Sequence, residues 1–177
     1  MAALSYPGRT TAGLIAVVGA ALALIVALIA QYGFDLQPCV LCIWQRWPYL
    51  VAVGLGLAVI VLRGMPVLAF ALVALAALAV LISGGIGGFH VGVEQGWWEG
   101  TAGCGVVSMP DDLAALRAQL LAQPIVRCDE VAFSLFGVSM AGWNVIYAVG
   151  LTGLIGWTVF KAGPQGSAAK PDTRSWT

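Results

Sequence analysis

Charge is what this chain has least of. Lys and Arg number 8 and Asp and Glu number 8, so charged side chains are 9% of the 177 residues, against about 25% in a soluble globular domain. That shortage excludes an ordinary soluble fold. The net charge of zero removes the electrostatic basis for binding nucleic acid or acidic substrates. Disordered, collagen-like and coiled-coil chains need compositions that are also missing. What is there instead is 60% hydrophobic residues and a mean hydropathy of +0.95. The chain reads as a membrane protein.

The stretches without a charged residue locate the membrane. Thr10 to Phe34 runs 25 residues, Gly64 to Val93 runs 30, and Val131 to Phe160 runs another 30. Each exceeds the roughly 20 apolar residues that a span needs. Trp47 to Leu62 runs only 16, and reaches span length by extending back through Arg46 to about Leu41. Four spans are therefore expected, at about 11–31, 42–62, 66–89 and 140–160. The fold class is an all-α four-helix membrane bundle occupying 1–162, with outer loops at about 32–41 and 90–139. The first span follows Arg9 as a signal peptide would. Its apolar run is too long for a signal core and Leu28 suits a cleavage site poorly, so the helix is expected to be retained.

Four spans place both termini on one side, with Arg9, Arg63, Lys161, Lys170 and Arg174. The other side has Arg46, Arg117 and Arg127, so the positive-inside bias makes the termini cytoplasmic. Arg63-Gly64-Met65-Pro66 leaves room only for a tight hairpin between the second and third spans. Gly84 and Gly88, and Gly150, Gly153 and Gly156, are expected to let helices approach closely. In the long loop, Ser108-Met109-Pro110-Asp111-Asp112 reads as a helix start. Leu113, Leu116, Leu120 and Leu121 then predict a short amphipathic helix ending by Pro124. Trp44, Trp47, Trp97, Trp98 and Trp143 fall near span ends, as an aromatic belt would. Residues 163–177 form a polar tail, expected to be disordered.

All four cysteines map to the outer side: Cys39 and Cys42 before the second span, Cys104 and Cys128 in the long loop. Four cysteines allow three pairings, and sequence does not choose among them. Two structural bridges are one reading, and a zinc site built on the Cys-x-x-Cys pair is another. The 24-residue separation of the later pair is unlike a zinc ribbon. Ile43, where haem attachment needs a histidine, argues against a c-type haem.

The setting of the first pair favours redox chemistry. Pro38 suits the first position of a helix, whose unpaired N–H groups stabilise a thiolate. Positions 39, 42 and 46 follow i, i+3, i+7, so Cys39, Cys42 and Arg46 can share one helix face. An arginine inside a span beside two cysteines is a functional candidate, able to stabilise an anion. A snorkelling interfacial arginine is the plainer alternative. His90, the only histidine, is expected near the outer end of the third span. An interfacial role is weighed there against a quinone or proton role, with Glu94 one turn on.

The nine residues Pro38-Cys39-Val40-Leu41-Cys42-Ile43-Trp44-Gln45-Arg46 resemble the signature of the DsbB family, bacterial inner-membrane thiol oxidases. Phe89 to Gly96 and Gly137 to Asn144 are similar to the same family, and the likeness extends over roughly residues 10–160. The resemblance implies a thiol:quinone oxidoreductase of the kind that keeps the bacterial periplasm oxidising. It implies a periplasmic DsbA-like thioredoxin-fold partner and a membrane quinone, ubiquinone or menaquinone. It also implies redox pairs Cys39–Cys42 and Cys104–Cys128, both periplasmic. Cys104 would take the mixed disulfide with the partner, and Cys128 would exchange with Cys39. Cys42 would contact the quinone, with Arg46 stabilising negative charge and His90 a further quinone-site candidate. The competing class is a structural or metal-binding membrane protein with inert cysteines.

Overall fold

The computed structural model describes residues 7–101, 103–104 and 126–161. Its helices are α1 (Pro7–Gly33), α2 (Val40–Val61), α3 (Pro66–Glu94) and α4 (Met140–Lys161). All four are long and apolar enough to cross a membrane; the shortest, at 22 residues, spans about 33 Å at 1.5 Å per residue. The chain is a multi-pass all-α membrane protein. The predicted amphipathic helix, Arg117 and the tail at 163–177 lie outside the described residues.

Lipid tails are as apolar as leucine, so close packing rather than hydrophobicity has to hold these helices together. The buried interior accordingly is built from small side chains. Ala12, Ala16 and Ala20 of α1, Ala52 of α2, Ala76 of α3 and Ala148 of α4 are fully buried. Leu14, Val18, Leu22 and Ile25 on α1, and Val67, Phe70 and Leu78 on α3, point outward toward lipid. Gly13 and Gly56 meet across α1 and α2, where a Cβ on Gly56 would lie 2.8 Å from the Gly13 carbonyl. Gly84 packs against α4, with its Cβ position 2.8 Å from the Ala148 Cβ.

Of the glycines singled out from sequence, only Gly84 makes such a contact. Gly88, Gly150, Gly153 and Gly156 have nothing within 4 Å of a built Cβ, because they face away from neighbouring helices. This contrast is testable. Gly84→Ala is expected to cost about 1–3 kcal/mol through overpacking, lowering the thermal midpoint in detergent. Gly88→Ala should leave that midpoint unchanged.

Helix ends set the site. α3 runs to Glu94, past the expected limit near 89, and closes in a Schellman motif. Gly96 adopts φ +69°; its N–H donates to the Val93 carbonyl at 3.1 Å and that of Trp97 to Gly92 at 2.9 Å. Pro38 is not the first residue of α2 either. Cys39 is the N-cap, its sulfur accepting the Cys42 N–H at 3.3 Å. Sulfur thus performs the task usual for a serine or aspartate oxygen. Between α2 and α3 the expected tight turn is present, with the Met65 N–H on the Leu62 carbonyl at 2.9 Å and Pro66 opening α3.

The segment between α3 and α4 also contains a small hairpin that the sequence reading lacked. β1 (Ser134–Leu135) pairs antiparallel with β2 (Val138–Ser139). The two-residue turn has φ +53° at Phe136 and +77° at Gly137, as a type I′ turn requires. Trp143 Nε1 donates to the Leu135 carbonyl at 3.1 Å, and Ser139 Oγ accepts the Gly142 N–H at 3.2 Å. These bonds fasten the hairpin to the start of α4.

Candidate active site

The bundle end formed by Gly33, Val40, Glu94 and Met140 gathers the chemistry. Cys39 and Cys42 are free thiols there with sulfurs 2.9 Å apart, and Cys104 is bonded to Cys128. Cys39, Leu41, Val93, Cys104 and Cys128 form one buried cluster, so the two pairs are neighbours although 65 residues separate Cys39 from Cys104 in sequence. Gly100 allows this folding-back, since a Cβ there would lie 2.8 Å from the Cys104 Cβ.

A cavity of about 420 Å³ opens beside the first pair, within the range of small-molecule sites. Cys39, Cys42, Arg46 and His90 all line it, so the residues singled out on α2 do share a face with the histidine of α3. Its walls include Leu22 and Val26 of α1 and Met140 and Trp143 of α4, which are also exposed on the lipid-facing surface.

Arg46 is placed at the cavity by α1, whose Gln31 Oε1 accepts from its Nη1 at 2.6 Å. Among the described residues no carboxylate lies within ion-pair distance of it. His90 is buried, at 4% exposure. Its Nε2 lies 3.6 Å from Cys39 Sγ and 3.8 Å from Glu94 Oε1, and its Nδ1 lies 3.1 Å from Gln45 Nε2. The Glu94 side chain is 5% exposed, and its Oε2 has no partner among the described residues.

Cys39 sits ahead of α2, and its surroundings favour the thiolate. The Cys42 thiol beside it is the largest influence; His90 and the Cys42 N–H act in the same direction, and together they outweigh burial and hold the Cys39 thiol well below the ordinary thiol range. At the exposed rim the Arg127 guanidinium holds the Asp129 carboxyl below its usual range.

Sequence reasoning missed a second set of residues. Gln45 and Ser83 are buried polar side chains, and Asn144 and Tyr49 join them in one hydrogen-bonded chain that ends on His90. Each lies in an apolar run, and uncharged polar residues at such positions are themselves a signal of function or of helix–helix bonding.

A family model described as disulfide bond formation protein DsbB matches residues 9–158. The chain belongs to the DsbB family. Disulfide bond formation protein B of Haemophilus influenzae (strain 86-028NP) is 34% identical over 153 residues, covering 78% of this chain and 81% of the relative. The protein of the same name from Saccharophagus degradans is 29% identical over 155 residues, covering 85% and 93%. An uncharacterized protein of Rickettsia prowazekii, RP370, is 28% identical over 142 residues, covering 78% and 81%. No solved structure matches. DsbB membership makes this chain an oxidoreductase of disulfide bond formation. The four cysteines and the cavity beside them are where its DsbB chemistry has to be sought.

Proposed function

We propose that this protein is a thiol:quinone oxidoreductase of the bacterial inner membrane that reoxidises a periplasmic DsbA-like dithiol oxidase. The observation that carries the reading is the stacking of parts in order: a loop disulfide, a thiol pair packed against it with Cys39 buried and Cys42 half-buried, and a mostly apolar cavity beside that pair. Both termini are cytoplasmic and both cysteine pairs periplasmic in this reading.

Electrons follow the sulfurs. A thiolate of the reduced partner attacks Cys104, and Cys128 leaves; the second partner thiol then displaces Cys104 and completes the partner's disulfide. The loop dithiol next passes its electron pair to a Cys39–Cys42 disulfide through a bond between Cys128 and Cys39, releasing Cys42. Exchange needs a thiolate within reach of a disulfide sulfur, and the buried cluster provides that proximity. Cys39 Sγ is favoured as thiolate and lies 2.9 Å from Cys42 Sγ.

The donor set fits a quinone. Its cavity is mostly apolar with a few convergent polar groups, as such sites are. Ubiquinone or menaquinone, when bound, accepts two electrons and two protons. Arg46 and Cys42 would hold its polar ring, with His90 as a further lining residue. Arg46 carries a fixed positive charge there, where little water screens it.

A metal site is the second reading, since the ligand atoms of Cys39, Cys42 and His90 lie within 4.8 Å of one another. Zinc at one equivalent in the reduced protein, with no quinone reduction, would establish it.

The test is purified protein with a reduced thioredoxin-fold partner and a soluble quinone. One hydroquinone is expected per partner disulfide formed; oxidation of the partner without quinone reduction would overturn the proposal. In the same assay a partner whose second active-site thiol is replaced by serine should accumulate cross-linked to Cys104, as the thiol that displaces Cys104 is gone. Non-reducing electrophoresis and mass spectrometry locate the bond, and a cross-link to Cys39 would sink that assignment.

A further inference from the structure

Three polar side chains and one backbone carbonyl inside the bundle bear on which nitrogen of His90 carries a proton. The assignment begins at the Ser83 backbone carbonyl, which can only accept. Asn144 Nδ2 lies 3.1 Å from it, so that end of the amide is the NH₂ group. Asn144 Oδ1 then faces Tyr49, whose hydroxyl donates to it at 2.7 Å. The same NH₂ donates to Gln45 Oε1 at 2.9 Å, which turns the Gln45 NH₂ toward His90 Nδ1 at 3.1 Å. An amide NH₂ has no acceptor capacity, so Nδ1 accepts and the neutral imidazole has its hydrogen on Nε2. Side-chain amide orientations are set by networks; this one is anchored on a main-chain group.

The Nε2–H lies on the side of the ring that faces Cys39 Sγ, at 3.6 Å, with Glu94 Oε1 at 3.8 Å. The backbone carbonyl of Cys128 also lies against this histidine. His90 therefore stands where the two cysteine pairs meet.

We propose that Tyr49, Asn144 and Gln45 are positioning residues that lock His90 as the Nε2–H tautomer, which donates to Cys39 Sγ as that sulfur leaves its bond to Cys128. The role rests on the relay described above. In that step Cys104 Sγ attacks Cys128 Sγ; the Cys104–Cys128 bond forms, the Cys39–Cys128 bond breaks, and the electron pair goes to Cys39 Sγ. The structure has the arrangement that follows, with Cys104 bonded to Cys128 and Cys39 free. A sulfur acquiring charge in a buried site is stabilised by a donor already aimed at it. The tautomer also gives the Nε2 lone pair to a proton, where a metal would need it.

The chain has one histidine, so ¹⁵N-histidine labelling of the whole protein in micelles, purified on a tag without histidine, yields one imidazole spectrum. Nε2 is expected to be protonated and Nδ1 not; the opposite tautomer in the wild type overturns the proposal. Gln45→Met, which keeps the volume but removes the donor to Nδ1, is expected to admit the Nδ1–H form. It should also slow single-turnover transfer from the Cys104/Cys128 dithiol to the Cys39–Cys42 disulfide about 10-fold to 100-fold. Rapid alkylation quench without quinone reads that rate, and an unchanged rate would overturn the role. If Gln45→Met does not fold, the wild-type spectrum still decides. Neither measurement involves quinone, so a protein with this tautomer that fails to reduce quinone counts against the proposed function and not against the tautomer.

Discussion

Serine in place of Cys39 or of Cys42 is expected to lower quinone-dependent oxidation of the partner by at least about 1000-fold, while the bundle stays folded. A hydroxyl cannot form the sulfur–sulfur bond that either transfer requires. The fold should survive because the pair's structural task is small. Cys39 caps α2 through its sulfur, accepting the Cys42 N–H at 3.3 Å, and a serine oxygen is among the best N-caps. Cys42 lies in the first turn and lines the cavity, outside the alanine-rich interior that joins the helices. Steady-state kinetics with the partner saturating, beside thermal midpoints in detergent, separate loss of chemistry from loss of structure. Near-normal turnover in either variant would defeat the relay and make the cysteines structural.

The reach of the sequence follows from which forces are local. Spans are legible because a bilayer forbids charge over a fixed thickness, a condition that one stretch of chain meets alone. The end of α3 was not legible. Glu94 and His90 belong to the helix because Gly96 closes it with a left-handed residue, and hydropathy does not report backbone closure. Phe136-Gly137 escaped for the same reason, since a phenylalanine at φ +53° is not a composition signal.

At the site, Cys39, Cys42 and Arg46 could be placed together by helical spacing alone. Burial of His90 could not be read, because its partners come from elsewhere. Gln45 is 45 residues away, and Asn144 lies 99 residues beyond Gln45. Polar residues in the apolar runs were visible as anomalies, but only tertiary packing says which of them meet. Glycine shows the same limit. Gly84 and Gly88 are one turn apart in an equally apolar helix, yet only Gly84 faces α4.

Arg46→Met is expected to reduce kcat/KM for quinone by about 10-fold to 100-fold, the worth of a hydrogen bond to a charged group, with partner cross-linking at Cys104 unchanged. The guanidinium is in α2 within the membrane segment, where an uncompensated charge is costly. Gln31 Oε1 accepts one of its N–H groups at 2.6 Å, but a neutral amide orients the charge without neutralising it. Among the described residues no carboxylate does so. The charge instead lines the same cavity as Cys42, where in the proposed relay electrons arrive and negative charge develops on a thiolate or a quinone oxygen. Lysine should restore only part of the activity, since its point charge lacks the planar fork and would not keep the Gln31 bond and a second acceptor in one plane. Steady-state kinetics at varied quinone distinguish the forms of loss. A rise in KM alone marks uniform binding, whereas a lower kcat marks stabilisation that exists only in the transition state. Wild-type constants in Arg46→Met would leave the arginine an interfacial anchor held by Gln31.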